Sequence, residues 1–141
     1  MEYITYIFKD ESICTVPICL ENIINCIKKA EIIVELPNNW DFDGSKEYSE
    51  TTWKNAVLFL CDFAKQLYNQ FNIIVDTPKI YPGDNGSIDI DWETPNYGLI
   101  INIAEGGELA TYYGDNEYGN SIEGELSTKN FTIDFVKDLL I

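Results

Sequence analysis

Residues 36–45 read Leu-Pro-Asn-Asn-Trp-Asp-Phe-Asp-Gly-Ser, and a long helical pattern follows at 50–71. Trp40 and Gly44 lie in the polar turn, and Trp53 begins a stripe of apolar residues at i, i+3, i+4 spacing. An amphipathic helix of this length needs other elements on which to bury its apolar side. This turn and helix therefore predict the unit around which the rest of the chain packs.

The remaining patterns predict an α+β fold. After Pro78 the hydrophobic period changes from 3.6 to 2, which indicates an antiparallel meander of four to five strands with two or three helices packed on one face. We expect a single domain over residues 1–141. Its predicted parts are an N-terminal strand and helix in 1–36, the turn and main helix in 37–72, a β-meander in 78–126 and a C-terminal helix in 128–140. Within the first part, strands are expected at 3–8 and 13–16 and the helix at 18–35.

The charge balance is strongly acidic. The chain has 24 Asp and Glu against 9 Lys, no Arg and no His, for a net charge of −15. Phosphate backbones repel such a protein, so we expect no nucleic-acid binding. Without His, the sequence offers no Ser-His or Cys-His nucleophile pair and no His-ligated zinc site. A basic protein or a cation would be attracted instead.

The cysteines and the apolar runs predict a cytoplasmic protein that does not enter a membrane. The spacings of Cys14, Cys19, Cys26 and Cys61 match neither a zinc knuckle nor a thioredoxin-like pair. No secretory signal pattern is visible, so buried free thiols are expected. No apolar run reaches transmembrane length.

The turn also carries a family resemblance. The residues that carry this resemblance begin with Leu36-Pro37-x-Asn39-Trp40-Asp41-x-x-Gly44-Ser45 in the turn. They continue with Ala56, Phe59-Leu60, Pro78, Asp84-x-Gly86 and the alternating stretch 88–92. Together these residues resemble a group of small uncharacterised bacterial proteins with a Leu-Pro-x-x-Trp-Asp-x-x-Gly-Ala/Ser signature, over roughly residues 35–140. Phe42-Asp43 departs from the smaller or aromatic pair expected there. The resemblance implies no catalytic residue.

Architectural roles explain the signature. We expect Trp40 to be buried where the first helix, the turn and the sheet meet, since a Trp in a polar turn is otherwise hard to explain. Gly44 would supply a positive φ angle. Asp41 would accept backbone N–H bonds and hold the turn.

The same turn nearly matches a calcium-binding loop. Asn39, Asp41, Asp43 and Glu50 follow the spacing of the oxygen ligands in that pattern, with Gly44 at its turn position. Asn39 replaces the usual first Asp, and Pro37 lies where the entering helix should still run. A cation-binding module built on loop 39–50 is therefore an alternative function.

Two stretches of alternating residues place carboxylates on one side of predicted strands. They contribute Asp89, Asp91, Glu93, Glu123 and Glu125. Such a face is either ordinary solvated sheet surface or a partner surface. Tyr97, Tyr112, Tyr113 and Tyr118 are a third candidate set; they are ordinary strand formers or, beside acids on neighbouring strands, part of an interaction patch.

The leading hypothesis is a non-enzymatic acidic interaction protein that binds a basic protein partner, as antitoxins, immunity proteins and inhibitors that mimic nucleic-acid charge do. A carboxylate-dependent metal enzyme is a second alternative, after the cation-binding module. No cofactor is predicted.

Overall fold

The computed structural model describes residues 2–141. Seven strands and three α-helices make up its regular structure. The strands are β1 (Tyr3–Phe8), β2 (Glu11–Pro17), β3 (Lys79–Pro82), β4 (Ile88–Glu93), β5 (Tyr97–Ile103), β6 (Leu109–Asn116) and β7 (Ser121–Ser127); the helices are α1 (Glu21–Ala30), α2 (Glu50–Phe71) and α3 (Lys137–Leu140).

The long helix α2 is buried on two sides. Ser49 is its N-cap, because the Ser49 hydroxyl accepts a hydrogen bond from the backbone N–H of Thr52 at 3.1 Å. The β1–β2 hairpin packs on one side of α2 and the main sheet on the other. Trp53, Phe59 and Phe63 are all fully buried in the resulting core. The apolar stripe is widened for this reason, since it must serve two layers.

The main sheet is a five-stranded antiparallel meander with strand order β3-β4-β5-β6-β7. Its inner face, formed by such residues as Ile90, Trp92 and Ile101, is buried against the helices. β5 is the central strand, as its apolar sequence predicts. The α+β class and the meander are confirmed. Among residues 2–141, no helix combines the length and apolar character needed to cross a membrane.

The first and last helices differ from their predictions. The helix expected at 18–35 is α-helical only in α1 and is flanked by 3₁₀ turns at Ile18–Leu20 and Glu31–Glu35. The β-branched run Ile32-Ile33-Val34 lies in the second of these turns, where α-helix is least favoured. The C-terminal helix expected at 128–140 is confined to a 3₁₀ turn at Ile133–Val136 followed by α3.

Thr128 explains the late start of the C-terminal helix. Its hydroxyl is buried and donates to the carbonyl of Gly107 at 2.5 Å, so it ties the chain to the sheet and does not begin a helix. Further along, the backbone N–H of Ile133 donates to the side chain of Gln66 in α2. Between these two anchors the chain makes a turn, in which the N–H of Asn130 donates to the carbonyl of Ser127 at 3.3 Å, and helical structure begins only at Ile133.

A polar network joins the hairpin to α2 and to the 3₁₀ turn that follows α1. The indole N–H of Trp53 donates to the Tyr6 hydroxyl at 3.1 Å, and that hydroxyl donates to Glu31 Oε1 at 2.5 Å. Burial, followed by the bond to Glu31, raises the pKa of Tyr6. Both donors are thus satisfied inside an otherwise apolar layer.

We predict that Tyr6→Phe lowers the free energy of unfolding by about 1–3 kcal/mol, because it leaves the Trp53 N–H buried without a partner. Urea melts followed by circular dichroism measure this loss. Tyr3→Phe is the matched control on the same strand, since Tyr3 is 61% exposed and should change stability by less than about 0.5 kcal/mol. Equal melts for both variants would contradict the role of the network.

Candidate interaction surface

The outer face of the five-stranded sheet is not covered by another element of the described chain. We call it the open face; its side chains point away from α2. On β4, buried Ile88, Ile90 and Trp92 alternate with Asp89, Asp91 and Glu93. On β7, Glu123 and Glu125 are exposed between the half-buried residues of the inner face. The pairing register places all five predicted carboxylates on the open face.

These carboxylates form two columns and not one cluster. Strands β5 and β6 lie between β4 and β7, which puts the columns about 14 Å apart at the usual strand spacing. Two cross-strand rows connect them. One row runs Asp89, Asn102, Thr111, Glu125, and the next runs Asp91, Ile100, Tyr113, Glu123.

In these two rows, four side chains lie between the columns and form a central strip, namely Ile100, Asn102, Thr111 and Tyr113. Ile100 is 40% exposed and its cross-strand neighbour Tyr113 is 51% exposed. Together they present an aliphatic and an aromatic group side by side to solvent. An apolar, aromatic centre with a charged rim is the usual composition of a protein–protein contact surface.

The carboxylates of the open face are not neutralised by ion pairs within residues 2–141. The ion pairs there all use acids elsewhere: Lys9–Glu50, Lys46–Glu105, Lys54–Glu11, Lys65–Asp62 and Lys129–Glu108. On the face itself, Asp89 accepts one hydrogen bond from the amide of Asn102 at 2.7 Å. Burial and then the neighbouring Glu93 raise the pKa of Asp91. The face therefore carries an excess of negative charge, and the ionisation of Asp91 within it is disfavoured.

Asp115 is a further carboxylate of this face that sequence reasoning missed. Gly114 is a residue type that is typical of turns, yet β6 continues through it to Asn116. Gly114 is there for a packing reason: a Cβ would lie 2.8 Å from a methyl carbon of Leu139 and from the carbonyl oxygen of Gly98. Asp115 is consequently a strand residue, opposite Gly98 and Ser121.

The four tyrosines do not form one patch. Tyr113 is on the open face, whereas Tyr112 lies on the inner face and packs against Phe135 with ring centroids 4.7 Å apart. Tyr97 donates its hydroxyl to Asp76 at 2.9 Å, and Tyr118 is exposed beyond β6. Only Tyr113 is positioned to contribute to the central strip.

Of the four candidate ligands of loop 39–50, Asn39, Asp41 and Glu50 have side-chain oxygens engaged within the loop or with a lysine. Asp41 accepts from the backbone N–H of Asp43 at 2.9 Å and from the Ser45 hydroxyl at 2.5 Å, and the latter bond lowers the pKa of Asp41. Asn39 Oδ1 accepts from the N–H of Gly44 at 2.7 Å, and Glu50 pairs with Lys9. These contacts confirm the structural role of Asp41.

Two other observations bear on the loop. Gly44 has φ +83°, which confirms its predicted positive φ angle. Within the part of the chain that the structure describes, no group of three or more Asp, Glu or Cys side chains converges as metal ligands would.

The expectation that Trp40 is buried was too strong. Trp40 is half-buried, packs beside Tyr48 with ring centroids 6.5 Å apart, and its indole N–H has no hydrogen-bond partner. Tyr48 takes the buried position and donates to the carbonyl of Gly83 at 2.7 Å, which ties the loop to the β3–β4 turn. Trp53, in contrast, is fully buried at the centre of the core.

We predict that Asp91→Asn stabilises the protein by about 0.5 kcal/mol at pH 7, as expected for relief of like-charge repulsion on one sheet face. Because the pKa of Asp91 is raised in the folded state, the native protein retains that proton to a higher pH than the unfolded chain. Ionising Asp91 therefore costs stability as pH rises, and the benefit of Asn should vanish below about pH 3.

Denaturant melts of both proteins at pH 3 and pH 7 measure this difference. Asp115→Asn is the control, since it removes one charge from the same face at a position whose cross-strand neighbours are Gly98 and Ser121. Destabilisation by Asp91→Asn at pH 7 would show that Asp91 makes a favourable ionic contact instead.

The chain was also compared with family models, curated proteins and solved structures, and none of them matches it. The resemblance of the Trp40 turn to a bacterial signature therefore stays a prediction.

Proposed function

We propose that this protein is a non-enzymatic interaction protein that binds a basic protein partner through the open face. The observation that carries the proposal is the arrangement of that face, with two columns of carboxylates on either side of exposed Ile100 and Tyr113. Antitoxins, immunity proteins and inhibitors that mimic nucleic-acid charge form the class of function that such a surface suits.

Charge supports a cationic partner. The net charge of −15 attracts basic proteins over long distances, and the open-face carboxylates have no lysine within ion-pairing distance in residues 2–141. Lys or Arg side chains of a partner would supply the missing counter-charges and relieve the repulsion around Asp91. The columns should thus accelerate association more than they slow dissociation.

The central strip supports a protein partner over a simple cation. A bound metal or polyamine gains nothing from an exposed Ile beside an exposed Tyr, whereas a protein gains by burying them. Residues of this kind at the centre of a contact surface usually carry most of the binding energy. The central strip should therefore determine the dissociation rate of the complex.

The other two functions have less support. Asn39, Asp41 and Glu50 of the loop alternative are engaged as described above, and the five predicted open-face carboxylates lie in two columns about 14 Å apart at the usual strand spacing. That separation is far longer than the metal–oxygen bonds of a shared Mg²⁺ or Ca²⁺ site.

The test begins with capture of a partner from native lysate, after which its association and dissociation rates are measured with purified proteins at several salt concentrations. We expect Asp89→Asn/Asp91→Asn and Glu123→Gln/Glu125→Gln each to slow association about tenfold at low salt, with the difference shrinking as salt rises. Ile100→Ala/Tyr113→Ala should instead raise the dissociation rate at least about tenfold.

Glu2→Gln/Glu21→Gln is the matched control, because it removes two exposed charges away from the open face. If this control slows association as much as the open-face variants do, the association rate depends on net charge and not on the position of the open-face carboxylates. An acidic partner, or a partner whose rates none of the open-face variants changes, would contradict the proposal.

A further inference from the structure

Two of the four cysteines lie against each other in the core. Cys14 is 9% exposed on the inner side of β2, and Cys61 is fully buried in the middle of α2. Their sulfur atoms are 2.6 Å apart. Cys19 is exposed and Cys26 is half-buried, so the expectation of four buried thiols holds only for this pair.

The pair is held by regular structure on both sides. Cys14 is the cross-strand partner of Tyr6, whose hydroxyl is bonded to Trp53 two helical turns before Cys61. This network fixes the hairpin on α2 at the level of the thiols. The sulfur separation is only about half an ångström longer than a disulfide bond of about 2.05 Å, so bond formation requires little movement of the backbone.

The surroundings distinguish the two sulfurs. The hydrogen bond from the Cys61 thiol lowers the pKa of Cys14, while the same bond and burial raise the pKa of Cys61. Cys14 is also the less buried of the two. Cys14 is thus the better nucleophile towards an external reagent, and Cys61 is placed to complete the reaction.

We propose that Cys14 and Cys61 are a redox-active pair that a small-molecule disulfide, such as oxidised glutathione, converts into a disulfide bond between the hairpin and α2. The Cys14 thiolate attacks one glutathione sulfur and expels glutathione thiolate. Cys61 loses its proton to water and attacks the Cys14 sulfur of the mixed disulfide, which expels the second glutathione. Two protein thiols are oxidised and one glutathione disulfide is reduced to two thiols.

Access to Cys14 requires a local opening of the β1–β2 hairpin. The hairpin's outer face is exposed, with Tyr3 61% and Ile7 57% accessible, and the hairpin pairs with no strand of the main sheet. Such a two-stranded element is the part of the fold that opens most readily. Once formed, the bond links positions 47 residues apart and restricts the unfolded chain.

The experiment incubates fully reduced protein in glutathione buffers of increasing oxidised fraction, under native conditions, and stops the reaction with an alkylating reagent. We expect the thiol count to fall from four to two. Peptide mapping by mass spectrometry should find the bond between Cys14 and Cys61. The oxidised form should melt several degrees above the reduced form.

Cys19→Ser/Cys26→Ser is the control variant, and it should form the same bond at the same glutathione ratio. In Cys61→Ala the reaction should stop at the mixed disulfide on Cys14, and the melting temperature should not rise. In urea, where the fold no longer selects the pair, the wild-type protein should give mixed pairings. Four free thiols in wild-type protein at the most oxidising ratio, or a native bond that uses Cys19 or Cys26, would overturn the proposal whether or not Cys61→Ala folds.

Discussion

The burial of α2 by two separate layers is the constraint on which the rest of the structure depends. A helix with apolar residues around most of its circumference must be covered by two layers. The β1–β2 hairpin supplies one layer, where Cys14 meets Cys61 and Tyr6 meets Trp53. The main sheet supplies the other, where Phe63 packs on Trp92 with ring centroids 5.2 Å apart. The sheet is therefore covered on one face only.

Because the sheet is covered on one face only, the residue composition of the open face is constrained. A solvated sheet face needs polar residues, and most of those here are polar or acidic. Solvation alone, however, requires neither the repulsion felt by Asp91 nor an exposed Tyr113 beside Ile100. The cost in stability and the apolar centre have a common explanation if the face is covered by a cationic protein during function.

Periodicity was enough to predict the parts of the fold whose patterns are long. The stripe that begins at Trp53 identified α2, and strict alternation identified β4 and its carboxylates. Local patterns could not show that Ile100 and Tyr113 are neighbours, since that contact depends on the β5–β6 register, which the intervening turn sets. Gly114 illustrates the same limit: glycine is typical of turns, but the space that this one leaves is filled by Leu139, far along the chain.

Trp40 shows the same limit of local patterns in a prediction of burial. Its presence in a polar turn indicated burial, but Tyr48 fills that position, because its hydroxyl reaches the carbonyl of Gly83 at 2.7 Å. Tyr48 and Gly83 are 35 residues apart, and the sequence around either of them does not indicate this bond. The charge columns, by comparison, were predictable because i, i+2 alternation is a property of the strand itself.

Carboxylate labelling with a water-soluble carbodiimide, read by mass spectrometry with and without the bound partner, tests the central claim most directly. We predict protection of Asp89, Glu93, Glu123 and Glu125, with unchanged labelling of Glu2 and Glu21 outside the sheet. Protection of Glu2 and Glu21, with the open face still labelled as in the free protein, would contradict the account.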